Sequence, residues 1–142
     1  MKSVGLLLFL LAAVALQSTS FAGQADADWD QARVAALAQD LLEPLEALRV
    51  DLQSRPPVPE KEKAHAAVMN DVERLGSLAR ALAERLAGGA SRAETIALFR
   101  EVEALRDQAA QHSRQYPAPF DMHTRIEQID AITRRLARYY GG

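Results

Sequence analysis

The chain is expected to fold as an all-α, up-down-up-down antiparallel four-helix bundle. Three observations predict this. Apolar residues recur at steps of three and four through four long segments, and no alternating apolar run competes as a strand. Breaks containing Pro or Gly, "SRPPVPE", "GGAS" and "YPAPF", separate those segments. The segments are matched at about 22 to 29 residues, or roughly 33 to 43 Å at 1.5 Å per residue. Short connections then make consecutive helices antiparallel neighbours. The rival is a helical hairpin that completes its core by dimerising.

Residues 1–22 read as a secretory signal. Lys2 supplies the positive start, residues 4–16 the apolar region, and "QSTSFA" a polar stretch ending in small residues at the cleavage positions. Ala25 offers a second cut. The apolar run is shorter than the roughly 20 residues a bilayer span needs. No Cys follows it, so anchoring through a lipidated N-terminal Cys is excluded. Residues 23–142 are therefore expected as one exported domain with one core. The short apolar region and the unused option of disulfides suggest a periplasm.

The first helix is expected over 28–53, capped by Asp28 with Gln31 as the reciprocal partner. Its stripe is Val34, Leu37, Leu41, Leu45, Leu48 and Leu52. Pro44 removes a donor and crowds the Asp40 carbonyl, which predicts a kink rather than two helices. The second helix, 59–87, opens on Pro59 and the acidic Glu60 and Glu62. It carries His65, Val68, Val72, Leu75, Ala79, Leu82 and Leu86, and stops at Gly88-Gly89. "SRAE" is a capping box opening the third helix, 91–115, with Leu98, Val102, Leu105, Ala109 and His112 inward. The fourth, 120–140, uses Met122, Ile126, Ile129, Ile132, Leu136 and Tyr139.

Charge narrows the partners. The sequence has 17 Lys and Arg against 19 Asp and Glu; without Lys2 the balance is 16 to 19, a net charge of −3. Both signs are interspersed and no basic stripe exists. Nucleic acid and, once the signal is removed, membrane are therefore not expected partners. An envelope or redox protein and a second copy of the chain are.

Every histidine and methionine after the signal falls toward one end. His65 lies 24 residues before Gly89 and His112 lies 23 after it, so an antiparallel hairpin sets them at one height. The turn near Pro117 brings Met122 and His123 to the same end, and Met69 is one helical turn from His65. Imidazole ligates haem iron, copper and zinc; thioether sulfur favours soft Cu(I) or haem iron. His65, Met69, His112, Met122 and His123 are thus the candidate cofactor-binding residues, with His65, Met69, His112 and His123 for a bare metal. Each also has an ordinary use: His112 complements a helix C-terminus, and the methionines fill core gaps.

"EALRDQAAQHSRQYP", preceded by a Gly-turned helical hairpin, resembles the end of the periplasmic bundle cytochromes, the soluble b-type group and its c-prime relatives. The resemblance covers residues 58–116. It implies a haem-ligating His112 a few residues before Tyr116, and electron transfer as the activity. The sequence has no "CxxCH", so haem would be held without covalent attachment, as haem b. A further helix follows His112, where that family's chain ends, so the helix order would be permuted. The first helix has no Met, so Met69, Met122 or His65 would supply the second ligand.

Enzyme readings find no support. A di-iron carboxylate bundle needs two Glu-x-x-His motifs; the chain has one, Glu62 to His65. "HExxH" is missing, and "GGAS" is a C-cap followed by an N-cap rather than a phosphate loop. Two expectations remain: an exported carrier of haem or copper at the His/Met end, or a cell-envelope binding or scaffold protein with no cofactor.

Overall fold

A computed structural model describes residues 28–116 and 118–141. The expected signal peptide, both cleavage positions and Pro117 lie outside the described residues. The described chain is all-helical: α1 (Gln31–Asp40), α2 (Leu42–Ser54), a short 3-10 turn (Pro59–Lys61), α3 (Glu62–Ala87), α4 (Arg92–Ser113) and α5 (Phe120–Tyr139). Among the described residues no helix is long and apolar enough to cross a membrane.

Helices α1 and α2 are one limb interrupted at Leu41. Leu41 keeps right-handed helical angles, and its N–H still donates to the Leu37 carbonyl at 3.2 Å. The break has a local cause. Because α2 restarts at Leu42, Pro44 falls in a first turn, where the missing N–H has no intrahelical acceptor to serve. The whole predicted stripe, Val34 through Leu52, is buried across the break. The cap is Asp30 rather than Asp28: its carboxylate accepts the Arg33 N–H at 3.1 Å. Gln31 is used elsewhere. It accepts from Trp29 Nε1 and donates to the carbonyls of Leu86 and Ala90, each at 2.9 Å.

Helix α3 ends in a Schellman turn. Gly89 takes φ +90°, its N–H donates to Leu86 O, and the Ala90 N–H donates to Arg85 O. Ser91 Oγ then accepts the Glu94 N–H at 3.2 Å and donates to the Glu94 carboxylate, opening α4. Gly76 differs from Gly89. It sits inside α3, and a Cβ there would meet nothing within 4 Å. Gly76→Ala is expected to raise the unfolding free energy by about 0.5–1 kcal/mol, read from the urea midpoint, because helix-interior glycine costs that much backbone entropy.

Helix α3 packs on α4, α1 and α2, and α5 packs on α1 and α2; α4 and α5 approach each other less closely than any of these pairs. Contacts at the ends set the order. The start of α1 meets the end of α3 through Gln31, and the end of α2 meets the start of α3 through His65. Arg55, just after α2, binds Asp121 of α5 with two nitrogens at 3.2 and 2.6 Å. Trp29 meets Tyr140 edge to face at 5.2 Å.

Two inward assignments shift by one residue. Phe99, not Leu98, is fully buried, and Tyr140, not Tyr139, is the buried tyrosine. They belong together: the rings of Phe99 and Tyr140 stack at 4.4 Å. The Tyr140 hydroxyl pairs with Thr95 Oγ1 at 2.7 Å. Tyr140 is the residue where α5 ends, and its N–H reaches back three residues to Ala137 O. That tighter last turn carries its ring under the aromatic end of the core.

Candidate functional site

The site grows from one residue in a helix face that should be apolar. Asp71 lies three residues after Val68 and four before Leu75, inside the buried arc of α3, and is 1% exposed. A carboxylate there requires donors. Helix α4 supplies two from positions four apart, which share a helix face. Gln108 Nε2 donates to Asp71 Oδ1 at 2.9 Å, and His112 Nδ1 pairs with Asp71 Oδ2. Among the described residues no buried side-chain polar atom lacks a partner.

This pairing defines the imidazole. An ionised carboxylate only accepts, so His112 Nδ1 carries a proton. In the neutral ring the lone pair then lies on Nε2. The His112 side chain is 38% exposed and borders an open groove of about 470 Å³ between the start of α3 and the end of α4. Ala64 and Ala67 contribute small apolar groups to that groove, Lys61 and Lys63 positive charge, and Glu60 negative charge. A carboxylate behind Nδ1 is the arrangement that orients ligating histidines.

The other candidates are placed differently. His65 is half-buried, and its Nε2–H donates to Leu52 O at 2.9 Å, closing a free carbonyl in the last turn of α2. Its ring meets Tyr116 edge to face at 5.3 Å. His65 therefore faces α2 and the α4–α5 connection, while His112 faces the flank of α3; only His112 lines the groove. Met69 is partly buried against the core, and Met122 lies within it at 1% exposed. His123, the next residue, is exposed in the first turn of α5. Among the described residues no three or more His, Cys, Asp or Glu side chains converge to hold a metal ion.

Asp71 and Gln108 are the site residues that periodicity overlooked. The available signal was the acidic residue at a core phase of α3. An Asp there needs a partner on the neighbouring helix, and His112 and Gln108 face it. Comparison with protein-family models, curated proteins and solved structures found no match to this chain.

Proposed function

We propose that this is an exported, non-enzymatic periplasmic protein that carries haem b or copper through His112, for electron transfer or metal handling. Its four limbs, α1–α2, α3, α4 and α5, are read as an up-down-up-down antiparallel bundle. The end-to-end contacts of Gln31, His65 and Arg55 support that arrangement. The observation that carries the function is the buried Asp71 behind His112 Nδ1, which leaves Nε2 outside that pair on a residue that lines the groove.

A neutral imidazole can serve haem iron and copper alike; His112 is the one imidazole or thioether lining the groove, so any second ligand would have to come from outside it. Either group, once bound, supplies one-electron redox chemistry. The chain's own contribution is to orient the ring through Asp71 and Gln108 and to offer Lys61 and Lys63 as positive charge for an anionic edge.

A second reading has its own support. His65 is committed to a backbone carbonyl and Met122 to the core. Meanwhile the Pro-rich connection presents Val58 at 59% exposed, as a surface of an envelope scaffold would. Colour and elemental analysis of protein exported by its native host separate the two. The carrier reading expects a Soret band or stoichiometric copper, lost in His112→Ala. An unchanged spectrum and metal content in that variant removes His112 from the role. Neither band nor metal in the parent protein leaves the scaffold.

A further inference from the structure

The geometry points to a second binding site, unrelated to His112: an apolar cavity between α4 and α5 that takes the end of a short alkyl chain. The line along α4 that buries Thr95, Phe99 and Val102 continues, at helical spacing, as Arg106, Ala109 and Ser113. Past Arg106, which turns to Asp107 and Asp130, bulk on that line falls to a methyl and a hydroxymethyl group. Across the gap α5 presents Ile126 and Ile129, and the floor is made by Leu and Val side chains of α2 and α3. Two small residues facing two β-branched ones do not close the seam. A cavity of about 80 Å³ remains.

Native interiors hold few voids larger than a water molecule. The opposite end of this molecule follows that rule, with Trp29, Phe99 and Tyr140 filling it. The cavity also reaches the surface, since exposed Ala110 lines it as well. Its mouth is spanned by Arg106 and Asp130, whose nearest N and O atoms are 3.9 Å apart. That is beyond hydrogen-bond distance, so the bridge can part without losing a formed bond.

Size and lining choose the ligand. An enclosed apolar cavity of about 150 Å³ stays dry and binds benzene or xenon; this one opens to solvent on one side, so a ligand there displaces water from apolar walls. Here the volume is near half of that. It suits a xenon atom or the last few carbons of an alkyl chain, with any polar head left outside beside Arg106 and Ser113.

Xenon, then 1-butanol, butyrate and butylammonium, added to the methyl-labelled protein test this by NMR. Saturable shifts confined to the methyls that line the cavity, those of Val68, Val72, Ile126, Ile129 and the neighbouring leucines and alanines, are expected, with the alkyl compounds displacing xenon. The three head groups show which charge the mouth accepts. Ala109→Leu fills the space and should reduce the saturable shift at least tenfold at equal ligand while holding or raising the melting temperature. Ala109→Val serves the same purpose if leucine overpacks. His112→Ala should leave these shifts unchanged, so this site and the His112 site fail independently. Absence of saturable shifts, xenon binding with no alkyl response, or full binding in a folded Ala109 variant would each overturn the assignment.

Discussion

Tyr140→Ala is expected to lower the unfolding free energy by about 3–5 kcal/mol, the range for deleting a buried aromatic side chain. Tyr140 is 1% exposed, stacked on Phe99 and met edge-on by Trp29. Its loss also removes the contact by which α5 grips the start of α1 and α4 together. Chemical denaturation measures it; a change below about 1 kcal/mol would mean the ring does not organise that end. Tyr140→Phe keeps the ring and removes one hydrogen bond. The Thr95 hydroxyl retains Ser91 O at 2.8 Å, so the cost should be about 0.5–1.5 kcal/mol.

The same pair of proteins reports on alkali. Burial pushes the Tyr140 phenol above its ordinary value, and the hydrogen bond with Thr95 opposes this only in part. The folded state thus favours the protonated phenol. Its contribution is full below the unfolded value of about 10 and is lost as pH rises through the higher folded value. The stability of the parent relative to Tyr140→Phe should fall above pH about 10 and be flat below it.

The second large effect concerns the pair at the candidate site. His112→Leu should cost about 2–3 kcal/mol, because it strands the buried Asp71 carboxylate with Gln108 as its remaining donor. This is below the roughly 3–5 kcal/mol of breaking a fully buried pair, since water reaches the partly exposed His112 position. Asp71→Leu/His112→Leu should recover most of that loss, as burying two apolar groups leaves no unpaired charge. A double-mutant cycle measures the coupling. Simple additivity would show that the two residues do not act as a pair. The double variant also gives a folded, ligand-free reference for the spectroscopic test of His112.

Much of the fold was legible because it rests on local rules. The stripe from Val34 to Leu52 repeats at helical spacing, and the Gly89 stop and Ser91 cap follow from backbone angles and a hydroxyl at the right place. A disturbance near Pro44 was legible as well, since a missing N–H acts on its own helix, but the chain divides there into two helices rather than one kinked one. Several misreadings are choices between residues one or two apart. Asp30 replaces Asp28 through a local bond, its carboxylate accepting the Arg33 N–H, whereas Phe99 over Leu98 and Tyr140 over Tyr139 were decided by partners distant in sequence. Gln31 was drawn off to Leu86 and Ala90, and the two rings chose each other.

The candidate site divides in the same way. Its helix end was legible from counting residues on either side of Gly89. The role of each imidazole was not: His65 closes a carbonyl of α2, while His112 takes its orientation from Asp71.

What the sequence determined by itself, then, is the all-helical class, the positions of the breaks and the buried stripe of the first limb. Helical periodicity, capping and proline chemistry act within about one turn and need no neighbour. What only the tertiary structure decided is which polar atoms meet across helices: Asp71 with His112, His65 with Leu52, Tyr140 with Thr95. A buried donor must find an acceptor wherever packing places one, and that depends on how the helices rotate against each other.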